Sequence, residues 1–269
     1  MAEALPPPFD RPDASFNTLE GWSWVGTYGG HYLQADLLAG FEHGFFTRQW
    51  QGRGPEELAA QLSAGISVHR PRQIHSAIVL SAGCAEGDPW PEADGLVSET
   101  GGQSVWVCGA DCTPVLLADP VSGRVAACHA GWRGVAGRIL PRAIALLEQA
   151  GSRRAQLLVA LGPAISAEAY QVEREVSLAV ALALRGTKME EHGALEELRA
   201  CGALQADPDP GRDRLDIRAA SLQQLQHEGI PMERIAVCPL CTASNPVLFH
   251  SWRRDRVKAV QWSGIVAQG

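Results

Sequence analysis

Asp111-Cys-Thr-Pro-Val-Leu-Leu-Ala-Asp-Pro-Val-Ser-Gly-Arg-Val-Ala-Ala-Cys-His129 contains two apolar runs, Val115 to Ala118 and Val125 to Cys128, joined by the turn residues Asp119-Pro-Val-Ser-Gly123. Short apolar runs flanking a Pro/Ser/Gly loop read as an antiparallel hairpin. The midpoint between Cys112 and His129 falls inside that turn. Folding the segment in half therefore predicts that the two residues oppose each other, and opposed residues share a face with Cβ atoms about 4.5–5.5 Å apart. A thiol beside an imidazole can act as a Cys–His nucleophile pair or, with one more ligand, as a metal site. Either reading puts the function of the chain at this place.

Outward from the hairpin, strand and helix signals alternate. Trp22 to Tyr28 and His31 to Asp36 read as strands paired around Gly29-Gly30, and His43 to Arg48 reads as another. Pro55 to Ala64 reads as a helix with Pro in its first turn, and Arg72 to Leu80 has the β-branched content of a strand. Val105 to Cys108 reads as a strand, and a helical run past Gly137 ends about Gln149-Ala150 and is capped by Gly151, which requires Pro141 to lie in its first turn or to kink it. Further strands are expected at 156–161, 234–238, 246–252 and 257–266, and helices at 173–184 and 216–228. Residues 185–214, with Asp207-Pro-Asp-Pro-Gly211, read as a flexible connection carrying a short helix. Strands outnumber helices and some are hairpin-linked, so mixed sheets with helices on their outer faces are expected. Residues 1–16, rich in Pro and Asp, read as a loose arm, and 17–269 as a single domain.

Composition narrows the function classes. A net charge of -7 gives no global attraction to nucleic acid or to an anionic membrane surface. No stretch reaches the roughly 18 consecutive apolar residues of a membrane span, and Met1-Ala-Glu-Ala-Leu-Pro-Pro-Pro lacks the blocks of a signal peptide. A cytoplasmic, monomeric protein is the expectation. The seven cysteines (84, 108, 112, 128, 201, 238, 241) are odd in number and scattered, which suits free thiols in a reducing compartment. Cys108 and Cys128 read as core packing. Cys238-Pro-Leu-Cys241 has the spacing of a zinc half-site or a redox pair, but no second CxxC or HxxxH accompanies it, and packing is the simpler reading.

A third ligand is available in His75, although spacing does not place it beside the hairpin. If it converges there, His75, Cys112 and His129 form a two-nitrogen, one-sulfur shell for Zn²⁺ with the fourth tetrahedral position open, which is the catalytic pattern. Gly131, Gly134 and Gly137 allow close backbone approach, and Arg133 stands where a helix begins, so guanidinium and amide donors can meet an anion together. Asp111 either accepts a proton or orients a ligand histidine, or it caps the local turn. Arg253-Arg254-Asp255 is either a solvated charge run or a second anion contact.

Gln73-Ile-His75, Gly109-Ala-Asp-Cys-Thr-Pro-Val-Leu-Leu-Ala118, Cys128-His-Ala-Gly-Trp-Arg-Gly134, Leu161-Gly-Pro-Ala-Ile165, Tyr170-Gln-Val172, Cys241-Thr242 and Phe249-His-Ser-Trp-Arg-Arg-Asp255, in this order, resemble the laccase-domain family. That family is also called YfiH-like or multicopper polyphenol oxidase, and its members are described as purine nucleoside phosphorylases. The resemblance runs from about His43 to Val266 and implies a four-layer α/β/β/α sandwich with zinc held by His75, Cys112 and His129. It also implies phosphorolysis of adenosine, inosine, guanosine and S-methyl-5'-thioadenosine, with inorganic phosphate as co-substrate, and deamination of adenosine. Arg133, Arg48 and Asp111 are then candidates for contacts to phosphate and substrate. The chain departs from the family pattern at Gln49 to Pro55, Ala59 to Leu62, Gln171 and Lys258 to Trp262, all on the expected substrate rim.

Three other readings use the same residues. A copper-dependent polyphenol oxidase is implied by the older family name, yet the chain lacks the clustered histidines and Cys-His-Met pattern of such copper centres. Cys112 activated by His129 gives a metal-free hydrolase or transferase. A module that binds nucleosides without turnover is the third.

Overall fold

The computed structural model describes residues 19–269, so the arm expected at 1–16 lies outside the described residues. One six-stranded sheet runs in the order β1-β2-β3-β15-β7-β4. Its strands are β1 (Trp22–Thr27), β2 (Gly30–Ala35), β3 (His43–Phe46), β4 (Ser67–His69), β7 (Gln103–Gly109) and β15 (Gln261–Val266). A second runs in the order β14-β10-β8-β9-β6-β5. It comprises β5 (Val79–Ser81), β6 (Gly95–Val97), β8 (Thr113–Ala118), β9 (Val125–Ala130), β10 (Leu158–Leu161) and β14 (Ile235–Val237). β11 (Gln171–Glu173), β12 (Leu204–Ala206) and β13 (Arg212–Leu215) form a small antiparallel sheet beside it. The helices are α1 (Pro55–Leu62), α2 (Trp132–Ala136), α3 (Ile139–Gln149), α4 (Arg174–Leu182), α5 (Glu191–Ala200), α6 (Ile217–His227) and α7 (Trp252–Asp255).

Side-chain alternation builds the layers. Along β8, Leu116 and Ala118 enter the core between the two sheets, whereas Val115 and Leu117 pack toward the helices α3, α4, α5 and α6. Both faces are buried, which is why this strand reads as an unbroken apolar run. Along β7, Val105 and Val107 meet the second sheet while Trp106 points outward into a smaller cluster with Phe46, Trp50 and Leu58 of α1. Sheet faces sheet and helices cover both outer sides, the α/β/β/α arrangement expected from the family resemblance. The Trp106 ring needs a bare neighbour. A Cβ on Gly264 of β15 would sit 2.4 Å from it, so Gly264 is what lets the indole lie flat on the sheet. Among the described residues no helix is long and apolar enough to cross a membrane.

Local signals set several boundaries as read. Pro55 is the first residue of α1, Pro141 lies in the first turn of α3, and Gly151 follows that helix with φ 99°. Asp216 caps α6 by accepting from the Arg218 and Ala219 amides. Four expectations change. Arg72 to Ile78 is not a continuous strand, because the amides of Ile74 to Ser76 are tied to a buried carboxylate; Arg72 makes a single bridge to Glu92, and the strand proper is Val79–Ser81. Residues 246–251 form a loop and Trp252 opens α7, although Val247-Leu-Phe249 is apolar, because Leu248 and Phe249 are buried from a loop. Residues 185–214 hold α5 and most of the small sheet. The hairpin forms, but its register is shifted by two residues: His129 opposes Pro114 rather than Cys112. A slip of two preserves which face each side chain occupies, so Cys112 and His129 remain on one face as diagonal neighbours, within reach of each other.

Candidate active site

The β8–β9 turn lies at one end of the second sheet, and Cys112 and His129 lie at the other, where β8 begins and β9 ends. His75 arrives from the non-strand segment before β5, in a left-handed conformation with φ 58°. The ligand atoms of His75, Cys112 and His129 all lie within 4.8 Å of one another, and the two imidazole rings meet edge-on with centroids 4.9 Å apart. The structure thus brings together all three residues singled out in the sequence. It buries His129, half-buries Cys112 and leaves His75 exposed. Among the described residues this is the one cluster with three such ligands in reach of a single ion.

Asp94, which the sequence reading missed, organises the cluster. Its Oδ1 accepts from His129 Nδ1 at 2.9 Å and from the His75 amide at 3.0 Å. Its Oδ2 accepts from the amides of Ile74 at 3.2 Å and Ser76 at 2.6 Å and from the Ser76 hydroxyl at 2.8 Å. One fully buried carboxylate therefore holds the strained turn of His75 and fixes the His129 tautomer, leaving Nε2 for the cluster. The signal was a carboxylate at the head of the apolar Gly95-Leu-Val97 run, where only a well-bonded acid is tolerated. Gln73 completes the anchoring: its side-chain amide both donates to the Cys108 carbonyl and accepts from the Cys108 amide, each at 2.7 Å.

Electrostatics follow from this packing. Burial pushes the Cys112 thiol up, but the imidazoles of His129 and His75 outweigh it and bring it down to about 6. Burial pushes His129 down, while the Cys112 sulfur and the Asp94 carboxylate lift it to about 10. Burial raises Asp94, and hydrogen bonds from His129 and Ser76 hold it at about 2. Without a metal, Cys112 and His129 are thus a thiolate–imidazolium pair at neutral pH. Cys108 and Cys128 are uncharged thiols, pushed by burial up to about 12.

The donor set fits a divalent ion. Two imidazoles and a thiolate suit zinc, an acceptor carboxylate stands behind one imidazole, and the exposed side of His75 leaves access for a further ligand. Gly131 is part of the fit, because a Cβ there would stand 2.8 Å from Cys112 Sγ. Its φ of -75° is ordinary, so Gly131→Ala strains no backbone and acts only by displacing the sulfur. With zinc as the probe ion, the expected result is a roughly tenfold or greater loss of affinity relative to the unsubstituted protein in chelator competition, the scale at which ligand misplacement acts, with an unchanged circular dichroism spectrum.

Asp111 does not orient a histidine; Asp94 does that. The Asp111 carboxylate accepts from the Thr242 hydroxyl and the Arg253 amide, both at 2.7 Å, and so ties two distant loops to the start of β8. Arg48 donates to the Pro246 carbonyl at 2.6 Å and lines neither cavity at the cluster. Arg133 does line one, although the helix it opens, α2, spans only five residues. Cys238 and Cys241 are buried free thiols, in keeping with packing.

Two cavities meet at the cluster and share His75, Ala110, Cys112 and Trp252 as a common wall. One, of about 310 Å³, carries Arg133, Arg253, Asp111 and Tyr170. The other, of about 490 Å³, carries Cys108, Val257, Ala259 and Val260. The Arg253 guanidinium lies 4.9 Å from the centre of the Tyr170 ring and donates to the Gln171 carbonyl.

Fold and site together define an α/β/β/α protein with a His-Cys-His cluster, suited to a divalent ion, at the end of its paired sheets. The chain belongs to the multi-copper polyphenol oxidoreductase laccase family, whose model matches residues 54–268. It is 40% identical over 257 residues to purine nucleoside phosphorylase slr1573 of Synechocystis sp., covering 91% of this chain and 97% of that one. It is 35% identical over 204 residues to purine nucleoside phosphorylase SCO2081 of Streptomyces coelicolor, covering 74% and 76% of the two chains. The crystal structure of YlmD from Geobacillus stearothermophilus superposes with a TM-score of 0.77 at 25% identity, over 91% of this chain and 99% of that chain.

Proposed function

We propose that the protein is a zinc-dependent purine nucleoside phosphorylase, acting on adenosine, inosine, guanosine and S-methyl-5'-thioadenosine, that also deaminates adenosine. The observation that carries this reading is the open-sided His75–Cys112–His129 cluster facing a cavity with two guanidinium groups. The names of the relatives support it. In phosphorolysis a phosphate oxygen bonds to C1' of the ribose as the C1'–N9 bond breaks. The electron pair goes to the purine, and the proton of hydrogen phosphate ends on the released base. Arg133 and Arg253 bind and orient the phosphate, because planar guanidinium donors match its oxygens. Asp94 holds His129 in place through Nδ1 and keeps the His75 turn closed. A zinc ion held by His75, Cys112 and His129 would supply Lewis-acid polarisation or an activated water.

Purified zinc-loaded protein incubated with adenosine, with and without phosphate, tests both activities. Adenine should form only with phosphate, and inosine under either condition; no base release in phosphate sinks the phosphorylase reading.

Zinc affinity should depend on pH with a defined sign. Between about 6 and about 10 the free pair carries one proton, on His129, which must leave when both side chains bind the ion. Affinity therefore falls about tenfold for each unit of acidification in that window, and more steeply below it, where the thiol is protonated as well. Chelator competition at several pH values measures the slope.

The thiolate–imidazolium pair also supports a second reading, a metal-free enzyme with Cys112 as nucleophile. Under that reading iodoacetamide inactivates the protein whether or not zinc is present; protection by zinc counts against it.

A further inference from the structure

We propose that the two cavities divide the substrates between them: phosphate in the arginine-lined lobe, the purine ring in the lobe walled by Val257 and Val260, and the ribose across the shared wall at the cluster. The division rests on the phosphorylase reading and deepens it by naming what selects the base. The first lobe holds the side chains of Arg133 and Arg253, each beside an aromatic ring, at 4.4 Å from Trp132 and 4.9 Å from Tyr170. The carboxylate in that lobe, Asp111, is already engaged by Thr242 and the Arg253 amide. Two cations with one bonded carboxylate leave this lobe receptive to an anion.

The second lobe has the opposite character. Trp252, Val257 and Val260 are 44%, 59% and 42% exposed, and all three line it. Large apolar side chains left open to water on one concave wall are what a flat, largely apolar ring covers on binding. Gln73 in the same lobe has both ends of its amide bonded to Cys108, so it braces the wall rather than reaching for phosphate. Lys258 also borders this lobe, on an exposed and flexible stem. The bond to be broken, C1'–N9, must lie where the ribose and base halves of a nucleoside join. The only wall common to both lobes carries His75 and Cys112, so a nucleoside spanning the junction presents that bond to the cluster.

Arg133→Gln and Val260→Asp separate the lobes, and both positions are exposed, so neither change removes core packing. With inorganic phosphate and free adenine as separate probes in equilibrium binding to the zinc-loaded protein, Arg133→Gln should weaken phosphate binding about tenfold or more and leave adenine within about twofold. Val260→Asp should do the reverse for adenine, since it sets a charge against an apolar ring. In turnover the same split appears as KM for phosphate against KM for the nucleoside. Loss of phosphate binding in Val260→Asp, loss of adenine binding in Arg133→Gln, or a wild-type protein that binds neither probe overturns the division. Split binding without any phosphate-dependent base release would leave the division standing and sink the phosphorylase reading instead. Base release with an unsplit KM pattern would do the opposite.

Discussion

Cys112→Ala is expected to lose stoichiometric zinc and to lower phosphorolysis roughly a thousandfold or more, since a metal supplies several kcal/mol of transition-state stabilisation and each 1.4 kcal/mol is tenfold in rate. The thiolate is the only anionic ligand among the three, and it also pairs with the His129 imidazolium in the free protein. Its removal leaves two neutral imidazoles, too weak a set to retain a tetrahedral ion against a chelator. The pairing makes a second effect measurable. Without the sulfur, the largest influence raising His129 is gone, so its ring should titrate well below about 10, which NMR of the imidazole protons can follow. Zinc content measured by elemental analysis beside the adenosine assay separates the outcomes: full activity without metal would remove the metal from the mechanism.

Asp94→Asn is expected to weaken zinc binding about 10- to 100-fold and to destabilise the fold by about 3 kcal/mol. Asp94 accepts five hydrogen bonds, three of them from consecutive amides, Ile74 to Ser76. An asparagine offers one acceptor oxygen and turns an NH₂ group toward donors, leaving buried N–H groups unpaired. The His75 turn loses its anchor, and the His129 ring loses the partner that fixes its tautomer. The loss corresponds to a melting temperature lower by roughly 6–12 °C. The wild-type carboxyl also sets a pH dependence. Its folded value of about 2 lies below the ordinary 3.8, so its contribution is full above 3.8 and disappears as pH falls through about 2. Asp94→Asn should therefore flatten the acid limb of the stability curve. An unchanged melting temperature with unchanged zinc affinity would show that the carboxylate is dispensable.

The two mutants also mark what was legible in the chain before folding. Cys112 and His129 could be paired from the text alone because only one turn separates them. Folding at the turn misplaced the register by two residues without changing the face, since side chains alternate with a period of two. The expected strand at 246–252 failed for a tertiary reason: Leu248 and Phe249 are apolar because a loop buries them, not because a sheet edge pairs them. Residues 185–214 looked like a connection because their strands are only three and four residues long, too short to show alternation. Arg48 and Arg133 were grouped as anion contacts by residue type, and the fold separates them.

Local pattern, by itself, determined the β8–β9 hairpin, the C-terminal end of α3 and the three ligand types, because each depends on residues close together in the chain. Tertiary structure alone decided that His75 joins Cys112 and His129, that Asp94 rather than Asp111 stands behind them, and that the cluster lies between a cationic and an apolar cavity. Those relations bridge dozens of residues. They exist only where two sheets end together and one buried carboxylate gathers the amides of a distant turn, and no periodicity along the chain encodes such a meeting.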